Sequence, residues 1–281
     1  MKRIAIQGGL GSYHEIAAKA YFCEENVEIV PCETFKDVFK KMEMDEILLG
    51  LIAIENTIAG SLLPNYNLLR ESGCLIIGEY KLRISHQFAA LSGQKMEDIK
   101  EVHSHPIALM QCEDFLDENK HMLAIESDDT ATSAKEIAEK NIKGRAAICS
   151  KEAAQEYGLE ILAAGIETNK RNFTRFLLIA KPDMAYRMNR GMELNKSTIV
   201  FTLPHEEGSL SKVLTILSFY HINLTKIQSL PIIGREFEYQ FYVALTFENY
   251  ERYRQALDAI KPLTSEFQNL GEYREAKLVS N

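Results

Sequence analysis

Residues 48–54 read Leu48-Leu49-Gly50-Leu51-Ile52-Ala53-Ile54, an almost wholly apolar run, and Glu55-Asn56-Thr57 follows it directly. A strand that is apolar on both sides is typical of the centre of a parallel sheet covered by helices. The charge and the amide beyond it are costly to bury unless they are solvated, paired or used. The run therefore predicts an α/β fold with candidate functional residues at its carboxyl end, against the alternative of a solvated loop or helix cap.

The same alternation of strands and helices continues on both sides of this run. A strand over Arg3–Ile6 leads through a glycine turn into a helix over Tyr13–Phe22. Further strands are predicted over Val27–Val30, Leu75–Ile84, Glu101–Ser104, Leu123–Ile125, Ala146–Ile148 and Leu177–Ile179, and further helices over Thr34–Met42, Leu62–Arg70, Ile107–Leu116, Thr130–Glu139 and Lys151–Tyr157. Strands that alternate with helices predict an α/β domain with parallel sheets.

The pattern changes after residue 181. Residues 182–196 are polar, without a steady hydrophobic period, and we interpret them as a linker. Strands are then predicted over Ser197–Leu203, Asn223–Leu230, Glu236–Phe247 and Leu263–Arg274, and helices over Gly208–Phe219 and Asn249–Ile260. The order βαββαβ within about 80 residues is that of a ferredoxin-like domain.

Composition excludes several classes of protein. The 281 residues are 46% hydrophobic and 26% charged, enough for the cores of two domains. The net charge is −8, and the one short basic cluster, Lys170-Arg171 with Arg175, is too small to bind nucleic acid. The absence of long apolar runs leads us to expect no membrane span, no signal peptide and a cytoplasmic protein. The five widely spaced cysteines predict free thiols rather than disulfides or a zinc site.

Single motifs point to a small polar ligand without naming it. The loop Gly8–Ser12 precedes a helix, where amide groups favour an anion, although a plain tight turn is the alternative. Its spacing does not support a nucleotide. His103 and His105 lack the partners of a metal site, and Asp128-Asp129-Thr130 fits a helix cap as well as a binding site. The residues alone predict an α/β domain with a ligand cleft and a second, regulatory domain.

Five segments in the first 180 residues, taken together, resemble the prephenate dehydratase family. They are GGLGSYHE (Gly8–Glu15), IENTIAGS (Ile54–Ser61), SHPIALMQC (Ser104–Cys112), DTATSA (Asp129–Ala134) and NFTRF (Asn172–Phe176). The C-terminal part resembles an ACT domain through its glycine-led helix start, Gly208–Leu214. Each segment is weak evidence by itself, whereas five in the family's order are specific.

The resemblance implies a fold and an activity. The family converts prephenate to phenylpyruvate, water and carbon dioxide, on the way to phenylalanine and without a cofactor. Its catalytic domain has two α/β lobes like those of type 2 periplasmic binding proteins, with the site between them. The implied domains are a catalytic domain over 1–181 (lobe 1 is 1–80 with 165–181, lobe 2 is 81–164), a linker over 182–196 and an ACT domain over 197–281.

The resemblance also implies roles for individual residues. The family's catalytic threonine corresponds to Thr174, which we expect to hydrogen-bond the departing hydroxyl or to relay a proton to it. Arg175 is expected to engage a substrate carboxylate. Glu55, Asn56 and Ser61 are expected to orient the ring and the hydroxyl; Gly9, Gly11, Ser12, Ser104 and Thr130 to donate to the second carboxylate; and Phe176 to belong to the substrate site.

Regulation is implied by two motifs of the ACT domain. The family's G-A-L motif corresponds to Gly208-Ser209-Leu210, and its E-S-R-P motif to Gln228-Ser229-Leu230-Pro231, without either charged residue. We expect phenylalanine to inhibit through these segments, with a weakened or redirected site. The alternative is an ACT domain that only assembles the oligomer, and a homodimer or homotetramer is expected in either case.

Three other functions are compatible with parts of the sequence. Arogenate dehydratase carries out the same elimination on the amino analogue, and the residues do not separate the two substrates. A non-catalytic regulator that binds small anions would share the two-lobed fold. A stand-alone amino-acid sensor would leave the first 180 residues without a purpose.

Overall fold

The computed structural model of the chain describes residues 2–23, 27–232, 234–236 and 238–276. The chain divides into two compact units, one of Met1–Leu62 with Tyr80–Phe176 and the other of Leu63–Glu79 with Leu177–Asn281. No helix in the described ranges is both long enough and apolar enough to cross a membrane.

Fifteen strands and ten α-helices occur in the described ranges. The strands are β1 (Lys2–Gln7), β2 (Val27–Cys32), β3 (Leu49–Asn56), β4 (Gly60–Ser61), β5 (Leu75–Arg83), β6 (Gln87–Ala90), β7 (Glu101–Ser104), β8 (Leu123–Glu126), β9 (Arg145–Cys149), β10 (Glu160–Ala164), β11 (Phe173–Ala180), β12 (Lys196–Thr202), β13 (Asn223–Pro231), β14 (Tyr239–Thr246) and β15 (Glu266–Tyr273). The helices are α1 (Tyr13–Tyr21), α2 (Phe35–Glu43), α3 (Leu63–Ser72), α4 (Pro106–Gln111), α5 (Glu113–Glu118), α6 (Thr130–Glu139), α7 (Lys151–Glu156), α8 (Pro182–Asn189), α9 (Ser209–Phe219) and α10 (Tyr250–Ile260). Two 3₁₀ turns cover Met96–Asp98 and Lys261–Leu263.

The first sheet has the strand order β2-β1-β3-β11-β5, with β4 paired to β3. The pairs of β1 with β2 and with β3 are parallel, as the alternation of strands and helices predicts. The apolar run over residues 48–54 forms most of β3, in which all residues except Glu55 are buried. A continuous apolar strand therefore lies inside the sheet.

The second sheet has the order β10-β6-β9-β7-β8 and is mixed rather than parallel. The pairs β7–β8 and β7–β9 are parallel, whereas β6 is antiparallel to both β9 and β10. The prediction of parallel sheets is therefore wrong for β6 and β10, two short strands that the sequence pattern did not reveal. Small side chains of α6 and α7, among them Ala134 and Ala153, pack on one buried cluster of this sheet.

The third sheet belongs to the C-terminal part of the chain. Its antiparallel strands have the order β13-β14-β12-β15, with α9 and α10 contributing to one apolar core that includes Phe201, Leu217 and Tyr253. This confirms the predicted βαββαβ order, since the second, third, first and fourth strands follow one another across a ferredoxin-like sheet. Its assignment as an ACT domain stays a prediction.

Two details differ from the sequence interpretation. The segment 182–196 contains a helix, α8, and the first residue of β12, although it was interpreted as a linker. NFTRF was expected to precede a strand, but Phe173–Phe176 are the first residues of β11. The predicted domain and lobe boundaries stay predictions. All five cysteines are free thiols, and four of them are buried.

Candidate active site

A cleft of about 170 Å³ lies in the first compact unit. Apolar side chains such as Phe35, Ile84, Ile107 and Phe176 form much of its lining. Its polar lining includes Ser12, Asn56, Gln111, Asp129, Thr130 and Thr174. The cleft is small beside the roughly 300–1,000 Å³ of pockets that hold drug-sized ligands, so it suits a compact metabolite.

The cleft gathers predicted residues that are far apart in the chain. Ser12, Asn56, Thr130, Thr174 and Phe176 all line it. They come from the loop before α1, the end of β3, the start of α6 and the start of β11. The fold therefore brings four of the five family segments to one cavity, and His105 with Gln111 adds the fifth.

Two helices begin at the cleft. Ser12 caps α1 by accepting a hydrogen bond from the backbone N–H of Glu15 (3.3 Å). Asp129 caps α6, where its Oδ1 accepts from the N–H groups of Ala131 and Thr132 at 2.9 Å each. The first amides of a helix have no intrahelical acceptor, and the helix dipole favours negative charge there. The start of α1 can therefore attract an anionic group in the cleft, whereas the carboxylate of Asp129 already occupies two amides at the start of α6.

Three buried carboxamides form a closed ring of hydrogen bonds beside the cleft, which we call the carboxamide ring. The Nδ2 of Asn56 donates to Oδ1 of Asn172 (2.8 Å), and the Nδ2 of Asn172 donates to Oε1 of Gln111 (2.8 Å). The Nε2 of Gln111 completes the ring by donating to Oδ1 of Asn56 (3.1 Å). Each amide is at most 7% exposed, so the ring is shielded from competing water.

The carboxamide ring contacts Thr174 through Asn56. The Nδ2 of Asn56 lies 3.0 Å from Oγ1 of Thr174, with the carbonyl of Phe173 3.3 Å away. An amide nitrogen can only donate, so the threonine oxygen accepts this hydrogen bond. The hydroxyl proton of Thr174 is then free to be donated to another group in the cleft.

Six predicted catalytic or substrate-binding residues are not among those that line the cleft, and three of them are Glu55, Ser61 and Arg175. Adjacent residues of a strand point to opposite faces of the sheet, which separates Glu55 from Asn56 and Arg175 from Thr174. Instead, Nη1 of Arg175 lies 3.7 Å from Oε2 of Glu55, and Ser61 pairs with Glu55 across β3 and β4. The expectation that the three face the substrate is not met in this cleft, and their roles stay predictions.

Gly11 and Ser104 are occupied by contacts within the protein. The N–H of Gly11 donates to the Glu15 carboxylate, and its carbonyl accepts from the Ser150 hydroxyl. Ser104 is fully buried and donates to the carbonyl of Ile148 (2.6 Å). Neither is therefore available as a donor to a ligand in this conformation, contrary to expectation. Gly9 is not among the residues that line the cleft, and its role stays a prediction.

Two buried histidines of this region were not assigned from the sequence. His14 lines the cleft, and its Nε2 accepts the N–H of Ala53 (3.2 Å), so its proton is on Nδ1. Burial lowers the pKa of His14 to about 3, which keeps the ring neutral. His86 lies behind the cleft with Nε2 2.9 Å from Oε1 of Gln111, and burial lowers its pKa as well. A lone histidine in a sequence carries no signal for such neighbours.

The predicted effector residues lie in the C-terminal part. Gly208 caps α9 with a φ of +76°, and Ser209 and Leu210 begin the helix. The segment Gln228-Ser229-Leu230-Pro231 ends β13, with Leu230 buried. The first motif therefore lies at the start of a helix and the second in β13, which β14 separates from β12, the strand that precedes α9. Their joint role stays a prediction.

No group of three or more His, Cys, Asp or Glu that could hold a metal ion occurs among the described residues.

Known proteins resemble this chain over most of its length. The family model for prephenate dehydratase matches residues 4–184. A chloroplast protein of Arabidopsis thaliana named arogenate dehydratase/prephenate dehydratase 2 is 41% identical over 252 residues, which are 86% of this chain and 64% of the relative. Arogenate dehydratase 1 of Petunia hybrida is 38% identical over 96% of this chain and 66% of its own length. The chain thus spans just under two thirds of these relatives.

Two solved structures share the whole fold. Prephenate dehydratase of Arthrobacter aurescens in complex with L-Phe is 25% identical with a TM-score of 0.85, over 97% of this chain and 89% of that one. A protein described as GqqA, a novel type of quorum-quenching acylase, is 27% identical with a TM-score of 0.85. The match covers 99% of this chain and 100% of that chain. The family model matches most of this chain, and the five family segments of the chain meet at one cleft. We conclude that this chain belongs to the prephenate dehydratase family.

Proposed function

We propose that this chain converts prephenate to phenylpyruvate, carbon dioxide and water. The observation that carries the proposal is the Thr174 hydroxyl, which accepts a hydrogen bond from Asn56 and keeps its own proton for the cleft. A group placed in this way can donate to the ring hydroxyl of the substrate as that hydroxyl leaves. Such preorganised donors are worth about 100- to 1,000-fold in rate.

The reaction balances without an oxidant or reductant. The bond between the ring and its carboxylate breaks, its electrons enter the ring, and the bond from the ring to the hydroxyl breaks as the ring becomes aromatic. The departing oxygen takes one proton and leaves as water. Thr174 donates a hydrogen bond to that oxygen. If Thr174 transfers its proton, the hydroxyl is protonated again from solvent, because an alcohol is too weak an acid to stay ionised at pH 7.

The lining of the cleft fits a compact ring with anionic groups. None of the described residues that line it is a lysine or an arginine. The start of α1, at Tyr13, supplies backbone amides in their place, and Thr130 adds a hydroxyl beside the carboxylate of Asp129. Apolar side chains, including Phe35 and Phe176, contact the ring in this proposal. In this proposal a substrate carboxylate is bound by the amides at the start of α1.

Arogenate is the second candidate substrate. One of the two plant relatives is named as an arogenate dehydratase, and the name of the other includes both arogenate and prephenate dehydratase. Arogenate has an amino group where prephenate has a keto group, and its ring and leaving hydroxyl are the same. Asp129, a carboxylate in the lining, could face that ammonium group. The Thr174 chemistry applies to either substrate.

One assay tests these proposals. The purified protein is given prephenate, and formation of phenylpyruvate is followed by ultraviolet absorbance; arogenate is assayed in parallel by chromatography of phenylalanine. Turnover of prephenate supports the proposal, and turnover of arogenate alone transfers it to the alternative. Tight binding of prephenate without turnover supports an anion-binding regulator. Hydrolysis of acyl amides without either elimination would instead favour acylase chemistry.

We propose further that phenylalanine binds the ferredoxin-like C-terminal part and inhibits the enzyme. The proposal is supported by the resemblance of that part to an ACT domain and by the name of the Arthrobacter aurescens structure, a complex with L-Phe. In this proposal the start of α9 and the end of β13 contribute to a phenylalanine site that two copies share. A homodimer or homotetramer in the cytoplasm completes the proposal.

A further inference from the structure

A closed ring of carboxamides can run in two directions. In the observed direction, Asn56 donates to Asn172, Asn172 to Gln111, and Gln111 back to Asn56. Rotating all three amides by 180° would exchange each donor for an acceptor and close an equally complete ring. The ring by itself therefore does not determine which atom of Asn56 faces Thr174.

The direction of the ring determines the state of Thr174. In the observed direction the nitrogen of Asn56 donates to Oγ1 of Thr174. In the reverse direction the Asn56 oxygen would face Thr174, and the threonine would have to give its proton to that oxygen. The hydroxyl would then have no proton for a leaving group in the cleft.

Two backbone N–H groups fix the observed direction at Asn56, and the ring of His86 contacts Gln111 on the other side. The backbone N–H groups of Ile58 and Ala59 both donate to Oδ1 of Asn56, at 2.9 Å each. On the opposite side, Nε2 of His86 lies 2.9 Å from Oε1 of Gln111. Since that oxygen already accepts from Asn172 and cannot donate, the imidazole must provide the proton.

We propose that His86 is a positioning residue, which donates from Nε2 to Gln111 and, together with the N–H groups of Ile58 and Ala59 at Asn56, keeps the carboxamide ring in the direction that leaves the Thr174 proton free. His86 has no contact with the cleft in this proposal and acts through Gln111, which lines it.

The surroundings of His86 hold its ring in place. Its Nδ1 lies 3.0 Å from the hydroxyl of Tyr13. That hydroxyl has one proton and also lies 2.8 Å from the carbonyl of Ser85, which the side-chain amide of Gln87 reaches at 3.2 Å. Its backbone N–H donates to Oε2 of the buried Glu167 (2.9 Å). Only 2% of the residue is exposed, and burial lowers the pKa of the ring, so the neutral form predominates. A neutral ring that donates from Nε2 must accept at Nδ1, so this tautomer requires the Tyr13 proton to go to Nδ1 and leaves the Ser85 carbonyl to the Gln87 amide.

A pair of variants tests the proposal kinetically, on the basis of the proposed function. His86→Leu removes the donor, and His86→Gln can place an amide N–H near the position of Nε2. We expect kcat to fall at least about tenfold in His86→Leu with KM changed less than about threefold, and His86→Gln to recover most of kcat. If His86 had a purely structural role, its substitution would lower the unfolding midpoint without this selective fall in kcat at a nearly unchanged KM. Equal loss of kcat in two variants as stable as the wild type overturns the proposal.

The tautomer of His86 provides a test that needs no activity. The ¹⁵N shifts of the imidazole, recorded at pH 7 on the wild-type protein and assigned with the His86→Gln variant, distinguish a protonated from a bare nitrogen. A protonated Nε2 with a bare Nδ1 is expected. The opposite tautomer overturns the proposal even if prephenate is turned over, whereas the expected tautomer in an inactive protein would fail only the proposed function. Because this measurement uses the wild-type protein, it tests the proposal even if the His86→Leu variant does not fold.

Discussion

At the residue scale, the chemistry rests on one hydroxyl proton. Thr174→Val keeps the shape of the side chain and removes that proton, so we expect kcat to fall about 100- to 1,000-fold with little change in KM. Steady-state kinetics with prephenate measures the effect.

Thr174→Ser is the matched control, because serine keeps the hydroxyl and loses only a methyl group. It should retain activity to within about tenfold of the wild type, which is about 1.4 kcal/mol in the barrier. If the valine variant is as active as the serine variant, Thr174 takes no part in the reaction.

The neutral state of His14 makes a prediction about pH. Its pKa is about 3 in the folded protein and 6.5 in the unfolded chain, so the unfolded chain binds more protons between these values. Stability therefore falls as pH falls through that window, by about 1.4 kcal/mol per pH unit for this one group. His14→Gln, whose Oε1 can accept the Ala53 N–H, should remove that part of the slope.

Urea unfolding at pH 6.5 and pH 5 measures the difference. The wild type should lose about 2 kcal/mol more than His14→Gln over this interval. His205 is exposed, and His205→Gln serves as the control that should follow the wild type. Parallel pH profiles for the wild type and His14→Gln would show that His14 is charged in the folded protein.

At the scale of single elements, the loop before α1 packs directly on α7. A Cβ at Gly11 would lie 2.4 Å from Cα of Ala153, and the φ of Gly11 is +78°. The side chain of Ser150, which caps α7, donates to the carbonyl of Gly11. Glycine is therefore required here by space and by conformation, which connects the first family segment to the second sheet.

The substitution Gly11→Ala tests this contact against Gly158→Ala. Gly158 has a φ of +65° and nothing within 4 Å of an added Cβ, so alanine there costs only the conformational strain, about 1–2 kcal/mol. Gly11→Ala adds the overlap with α7, about 1–3 kcal/mol more. Denaturant unfolding of both variants compares the costs, and equal values would mean that the loop moves away from α7 freely.

Element types followed from the sequence where the hydrophobic pattern is strong. The predicted helix over Thr130–Glu139 and strand over Glu101–Ser104 agree with α6 and β7 to the residue. The short strands β6 and β10 were missed, because Gln87–Ala90 and Glu160–Ala164 are too short and too rich in alanine to show a period. Strand alternation could have shown that Arg175 and Thr174 face opposite sides, but NFTRF was expected to precede a strand.

At the scale of the whole molecule, the open question is coupling between phenylalanine and activity. We expect millimolar phenylalanine to lower the rate of prephenate turnover. Gln228→Glu restores the acidic residue of the family motif at a half-buried position of β13, and we expect it to lower the phenylalanine concentration for half inhibition. The arginine position of the motif is taken by buried Leu230, which leaves no room there for a charge.

Asn223→Asp is the control, since it adds the same charge at the other end of β13. It should leave inhibition as in the wild type. Unchanged turnover at millimolar phenylalanine in the wild type and in Gln228→Glu alike would favour a C-terminal part that only assembles the oligomer.

The amino-acid sequence by itself determined the order of most elements, the ferredoxin-like C-terminal part and the family, because hydrophobic periods and short motifs are local properties of the chain. Only the tertiary structure decided which side chains meet. Asn172, Gln111 and Asn56 are separated by up to 116 residues and close one hydrogen-bonded ring, with His86 behind it. Hydrogen bonds between distant residues depend on the packing of whole sheets, and no local pattern records that packing.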